Sequence, residues 1–243
     1  MEDPIYAIGD VHGQLAALKN ALALIEADGG SEAQIVLLGD YVDRGPDSRG
    51  VVELLMQART NGRPWIMLKG NHDRYLVRFL SEARVSDPRT STGLKWLNPR
   101  LGGDKTLCSY GVKAAEDMPI GPLLEAARTA VPSAHTDFLN DLPLVHEAAG
   151  KLFVHAGIRP GVPLDAQKED DLLWIRDGFL DHTGSFGPLV VHGHTSLEAP
   201  EHYGNRVNLD GGAGYFRPLH PAVIEGSRVW LLTEAGRIEL RPR

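Results

Sequence analysis

Ile5-Tyr6-Ala7-Ile8-Gly9-Asp10-Val11-His12-Gly13 decides the reading of this chain: four apolar residues end in a glycine and then two donors, Asp10 and His12, two positions apart. A short apolar run bounded by a turn residue predicts a buried strand. The pattern returns twice. Gln34-Ile35-Val36-Leu37-Leu38 runs into Gly39-Asp40-Tyr41-Val42-Asp43-Arg44-Gly45, and Trp65-Ile66-Met67-Leu68 runs into Gly70-Asn71-His72-Asp73. Between the strands, Leu15, Leu18, Leu22 and Ile25 recur at helical spacing up to Asp28-Gly29-Gly30. Val51, Val52, Leu54 and Leu55 do the same up to Asn61-Gly62, and Tyr75, Leu76 and Phe79 predict a third helix. Such alternation predicts an α/β fold with parallel strands, whose ligands gather beyond the carboxyl ends of the strands. All three motifs fall there.

Further along, the pattern weakens from about 82 to 143. Pro88, Pro99, Gly102, Gly103, Pro119 and Pro122 interrupt it, and Leu123 to Ala130 is the clearest helix. This stretch is expected to be a helical or irregular cap inserted over one side of the site, within a single domain spanning 1–243. After it the character turns to strands. Leu144 to Ala148 and Lys151 to Val154 predict a hairpin around Gly150, the second strand ending in His155-Ala156-Gly157. Pro188 to Val191 ends in His192-Gly193-His194-Thr195. Val207 to Leu209, Ala222 to Glu225, Val229 to Thr233 and Arg237 to Leu240 predict further strands, so the second half is expected to supply a second sheet.

The bulk numbers narrow the field. A chain of 243 residues with 42% hydrophobic and 23% charged residues can bury a sizeable core, and its net charge of −7 argues against a protein that coats nucleic acid. One cysteine, Cys108, excludes an internal disulfide and suits a reducing compartment; it is expected to be a small buried residue. No leader is apparent at Met1-Glu2-Asp3-Pro4, and no apolar run approaches the roughly 18 residues of a membrane span. A cytoplasmic protein with no membrane partner is expected, a monomer by default.

Asp10, His12, Asp40, Asn71, His155 and His194 are oxygen and nitrogen donors without a thiolate, a set suited to manganese, iron or zinc. Extended backbone would aim Asp10 and His12 the same way, and Asp40 could bridge two ions. Two divalent ions bring four positive charges against two carboxylates. The surplus can polarise a phosphoryl oxygen and bring a water pKa from about 15.7 towards 7. Arg44 can fork onto two phosphate oxygens, and Arg176 in Leu172-Leu173-Trp174-Ile175-Arg176-Asp177 is the candidate for a second clamp. His72 could protonate the leaving oxygen, with Asp43 orienting it. Arg159, near the fourth motif, has a competing claim on substrate.

These segments together resemble the phosphoprotein phosphatase family within the calcineurin-like metallophosphoesterases, in the form of the bacterial serine/threonine protein phosphatases. The resemblance runs through Gly9 to Gly13, Gly39 to Gly45, Gly70 to Asp73, His155-Ala156-Gly157 and Gly193-His194-Thr195, most of the chain outside 82–143. It implies two mixed β-sheets packed as a sandwich and flanked by helices. It also implies one metal on Asp10 and His12 with Asp40 bridging, a second on Asn71, His155 and His194, His72 with Asp43 as the acid pair, and Arg44 and Arg176 on phosphate. Asp73 stands where many eukaryotic relatives have glutamate, and Asp210-Gly211-Gly212-Ala213 looks like the family's Asp-Thr-Gly-Ala with glycine replacing threonine.

The expected activity is therefore a two-metal phosphoesterase in which hydroxide attacks phosphorus directly, with manganese the first metal. Phosphoserine and phosphothreonine in proteins are the leading substrates, from the form of Asp40-Tyr41-Val42-Asp43-Arg44-Gly45. A symmetrical dinucleoside tetraphosphate hydrolase is the first alternative; a phosphodiesterase or a metal-binding regulatory protein without catalysis stand behind it. His192 is expected to support the ligands without joining them, and His135, His146, His182, His202 and His220 to be structural. Trp96 and Trp174 are expected in the core, base stacking by Trp96 being the remoter reading.

Overall fold

A computed structural model describes residues 3–90 and 93–243; Met1 and Glu2, at the start read for a leader, and Ser91 and Thr92, within the stretch expected to form a cap, lie outside the described residues. The parallel core forms as the alternation predicts. Strands β1 (Ile5–Ile8), β2 (Gln34–Leu37) and β3 (Trp65–Met67) lie side by side and parallel. Helices α1 (Leu15–Gly29), α2 (Ser48–Thr60) and α3 (Asn71–Glu82) follow them in turn. The period of two along β1 explains the layering. Tyr6 and Ile8 pack with Leu18, Ile25, Val51 and Leu55 on the helical side. Ile5 and Ala7 point the other way and meet Phe153, Val191 and Val207 of a second sheet.

That second sheet has five strands: β4 (Val145–Ala148), β5 (Lys151–Val154), β6 (Leu189–His192), β7 (Glu201–His202) and β8 (Arg206–Asn208), in the order β4-β5-β6-β8-β7. Its pairs are both parallel and antiparallel. Its outer face is covered by α7 (Glu169–Trp174) and the turn after it, where Leu172, Ile175 and Phe179 pack on Leu152, Val154 and Val190.

The expectation that the whole second half supplies the second sheet needs correction. Strands β9 (Ala222–Glu225), β10 (Arg228–Thr233) and β11 (Gly236–Glu239) return to the first sheet, giving the order β11-β10-β9-β1-β2-β3. β1 has an edge that β2 leaves unpaired, and β9 takes it antiparallel, Ile5 opposite Ile224. Ala222, Ile224 and Val229 then bury in the layer between the sheets. The architecture is the two-sheet sandwich of mixed strands with flanking helices.

The described residues of 83–143 contain three helices, α4 (Gly103–Ser109), α5 (Ile120–Ala130) and α6 (Ser133–Asn140), of which periodicity marks only α5. Trp96, Leu97, Leu107, Leu123, Ala127, Phe138 and Leu139 join the same apolar cluster as α1 to α3, with the rings of Phe79 and Trp96 5.0 Å apart. Cys108 is exposed on α4, not buried as expected. α4 is two turns long, and the inward side is taken by Thr106 and Leu107. Among the described residues no helix is long and apolar enough to cross a membrane.

Candidate active site

The loops after β1, β2 and β3 are laced together by their backbones. His12 N donates to Asp40 O at 2.7 Å and Gly13 N to Tyr41 O at 2.8 Å. Asp73, in the first turn of α3, accepts from the N–H groups of Gly70, Asp40 and Tyr41 at 2.8–2.9 Å, so one carboxylate caps the helix and holds the second loop. From the second sheet, the loop after β6 joins them: His194 N donates to Asp10 Oδ1 at 3.0 Å. Contact is too close for side chains at two glycines. A Cβ on Gly70 would lie 2.1 Å from Asp40 Oδ1, and one on Gly193 2.1 Å from Asp10 Oδ1.

Strain concentrates here. His12, Asp40, Asp43, Arg44 and His194 all have positive φ, between 48° and 74°. L-residues enter that region at a cost, and such residues cluster where the surrounding structure dictates side-chain direction.

Six predicted donors converge. Asp40 is central: its Oδ2 is 3.6 Å from His12 Nε2 and its Oδ1 3.5 Å from His155 Nε2. Asp10 Oδ2 lies 3.9 Å from His12 Nε2. Asn71 Oδ1 is 2.8 Å from both His155 Nε2 and His194 Nδ1. Two groups of metal-ligating atoms share Asp40, one with His12 and His72, the other with His155 and His194, each within 4.8 Å.

The donor chemistry fits cations. Burial holds His155 down to about 3 and His12, His72 and His194 well below the ordinary imidazole value, so these rings are neutral. His155 Nδ1 faces the Leu38 carbonyl and His12 Nδ1 the Val42 carbonyl, both at 2.9 Å. A neutral ring serves a carbonyl only by donating, so Nε2 of each presents a lone pair inward. His155 Nε2 then faces the acceptor oxygen of Asn71 with no proton between them, an arrangement that a cation relieves. The carboxylates agree. Burial first, and then the charge of neighbouring carboxylates, raises Asp10 (against Asp210 and Asp40) and Asp40 (against Asp73) above the ordinary carboxylate range.

His72 and Asp43 are paired at 2.6 Å, Nδ1 to Oδ2. Asp43 is fully buried and also accepts from Trp96 Nε1 at 2.8 Å and Thr106 Oγ1 at 2.6 Å. Burial raises it to about 8, against the lowering effect of those two donors. Arg44 places Nη1 2.5 Å from His12 Nε2 and Nη2 3.1 Å from His72 Nε2.

A cavity of about 590 Å³ opens over this cluster, with Arg44, His72 and His194 on its floor. Arg176 lines it, donating Nη2 to His194 O at 3.3 Å. Arg159 does not: its guanidinium forks onto Asp171 at 2.8 and 3.0 Å, outside the cavity lining, and that pair explains why it does not reach the site. Trp174 is buried as expected, yet it also forms cavity wall, edge-on to His194 at 5.9 Å.

Sequence reasoning missed several residues. Trp96 is core, as expected, and its indole N–H holds Asp43. Thr106 had no signal of its own beyond the preceding Gly102-Gly103, and Gly102 O accepts from Arg44 N at 3.3 Å. Arg89, Arg100 and Lys105 from residues 83–143 line the cavity, as do Tyr215 and Phe216.

A family model, the calcineurin-like phosphoesterases, matches residues 3–222. The chain belongs to that family. This calcineurin-like chain is 27% identical over 241 residues to a symmetrical bis(5'-nucleosyl)-tetraphosphatase of Methylococcus capsulatus, covering 98% of the chain and 69% of the relative. It is 30% identical over 158 residues to the protein of that name from Bordetella parapertussis, covering 65% of the chain and 45% of the relative. Thus it spans under half the length of several curated relatives that it matches, 29% in the case of one from Hamiltonella defensa. Among solved structures, a putative diadenosine tetraphosphatase matches with TM-score 0.63 and 22% identity over 98% of this chain and 94% of that one. A cold-active protein tyrosine phosphatase matches with TM-score 0.65 and 19% identity over 100% and 81%. Both share the fold. Family membership implies a dinuclear site for divalent metals, which the shared Asp40 and its two histidine groups suit.

Proposed function

We propose that this chain is a two-metal phosphoesterase whose preferred substrate is a dinucleoside polyphosphate, the alternative in the sequence reading, with phosphoserine and phosphothreonine in proteins second. One observation carries the ranking. The cavity gathers Arg44 and Arg176 beside the cluster and Arg100 and Lys105 from residues 83–143, with Arg89 also in the lining but paired to Asp170 and Asp171. A phosphoserine has one phosphate, for which two forked arginines suffice. A tetraphosphate chain carries its charge along a line, and further cations at the rim match it. The names of the curated relatives support the same substrate.

In this reading Asp10 and His12 would hold one ion and Asn71, His155 and His194 the other, with Asp40 able to serve both; manganese is first choice, iron and zinc suiting the same donors. When bound, such ions supply positive charge that activates water and neutralises phosphoryl oxygens. The chain's own groups do the rest. Arg44 and Arg176 hold the phosphate oxygens. Asp43 keeps the proton of His72 on Nδ1 in the resting, neutral ring. The proton given up by the attacking water charges the ring at Nε2, and Nε2 passes it to the leaving oxygen, so that no net proton is gained or lost. Second place goes to protein substrates because Asp40 to Gly45 has the phosphatase form of the motif.

The test is metal-free protein reloaded with manganese and assayed on diadenosine tetraphosphate and on a phosphoserine peptide. Two molecules of ADP per dinucleotide, with slow peptide hydrolysis, is the expected result. Phosphate from the peptide alone would reverse the ranking.

A further inference from the structure

In the lining of the same cavity, the chain makes a short 3-10 turn, Ala213–Tyr215, and ends it on Phe216. Three features set this turn apart. Phe216 is 75% exposed and Tyr215 55%, two of the three large hydrophobics left exposed among the described residues. Phe216 is held at φ 62°, a left-handed conformation that is costly for a bulky side chain and is normally given to glycine. Both rings line the cavity.

The turn is also fixed close to the proposed chemistry. Tyr215 N donates to Gly212 O at 2.8 Å and Phe216 N to Ala213 O at 2.9 Å, and Arg217 is tied to the Leu197 carbonyl at 3.0 Å. Gly214 is pressed against the floor: a Cβ there would lie 2.6 Å from His12 Cδ2 and 3.0 Å from Arg44 Cδ. The Arg44 guanidinium carbon sits 5.1 Å from the centroid of the Tyr215 ring. A residue that orients phosphate is thus in contact with an exposed aromatic face.

Resting on the dinucleotide reading, we propose that Tyr215 and Phe216 form a stacking platform for the nucleobase of the substrate. Aromatic rings exposed in water gain most from a planar partner, and base stacking on such rings tolerates any base. The position accounts for the cost of the turn. Cleavage to two ADP falls on an inner phosphate, so a phosphate held by Arg44 leaves its nucleoside one further phosphate and a ribose away, within reach of Tyr215 and Phe216. The other half of the substrate lies along the rest of the cavity, which Arg100 and Lys105 also line. The platform selects nucleoside polyphosphates over base-free phosphates of equal charge.

The experiment measures ADP and pyrophosphate binding by calorimetry on manganese-loaded wild type, Tyr215→Leu, Phe216→Gly and the double variant. Glycine at 216 removes the strain, so that variant keeps or gains thermal stability. ADP should bind wild type more tightly than pyrophosphate does, and the ADP Kd should rise roughly tenfold in the double variant, with the pyrophosphate Kd unchanged. Equal weakening of both ligands, unchanged ADP binding, or a wild type that does not favour ADP would each overturn the platform. Diadenosine tetraphosphate turnover by the wild type scores the parent reading separately: turnover with unchanged ADP binding in the variants would sink the platform alone.

Discussion

The loops after β1, β2 and β3 and the segment from 83 to 143 meet on one carboxylate, Asp43, and they reach it by opposite routes. The loops are short, sit at the ends of parallel strands and carry their donors within a few residues of each strand. The later segment is broken by prolines and glycines, yet Trp96 and Thr106 take both oxygens of Asp43 from 53 and 63 residues away. One region assembles the donors; the other holds in place the group that orients His72. The difference teaches that a segment without a motif can be as close to the chemistry as one with three.

His72→Asn breaks the loop side and has the largest expected effect. Turnover should fall by about two to four orders of magnitude, the range for loss of an acid–base group, most on esters with poor leaving groups. Manganese content by elemental analysis should stay unchanged. Wild-type rates on an alkyl phosphate would remove His72 from its role.

Thr106→Val breaks the other side. It leaves Asp43 short of a buried donor, which should cost about 1–3 kcal/mol of stability by denaturant titration. It should also lower turnover about tenfold through the misplaced imidazole, again more for poor leaving groups. A stability loss with equal rates on all esters would make Thr106 a packing residue only.

Arg100→Ala with Lys105→Ala probes the cap as a phosphate rail. KM for diadenosine tetraphosphate should rise about fivefold, in line with roughly 1 kcal/mol from rim charges, while KM for a phosphopeptide moves little. Equal changes on both substrates would favour the protein-phosphatase ranking.

The smallest effect is a control far from both regions. Arg237 forks onto Asp28 at 2.6 and 2.8 Å and ties β11 to the end of α1. Its hydrogen bonds hold the Asp28 carboxyl below the ordinary range. A depressed carboxylate stabilises the fold above its unfolded pKa of about 3.9 and loses that contribution as the pH falls through its folded value. Arg237→Ala should therefore cost up to about 1 kcal/mol at pH 7, less below pH 4, and leave turnover unchanged.

Local pattern carried much of this molecule. Strand, glycine and donor are neighbours in sequence, so β1, β2, β3 and the six donors could be read directly, and α1, α2, α3 and α5 are long enough to show a helical period. α4, α6 and α7 run to eight residues or fewer, too few turns for a buried stripe to stand out. The return of β9 to β11 to the first sheet was equally invisible, because an edge strand is chosen by which backbone is left unpaired after the rest has folded.

The sequence by itself determined the parallel core and the places of the expected donors, since strand, glycine and donor are neighbours along the chain; Asp43 and His72, 29 residues apart, were expected to pair from their roles and the family resemblance. Tertiary structure alone decided that Arg159 belongs to Asp171, that Arg100 and Lys105 border the cavity, and that Phe216 stands exposed beside it. Those are contacts across distant segments, fixed by how layers pack and which charges find each other, and no local period encodes them.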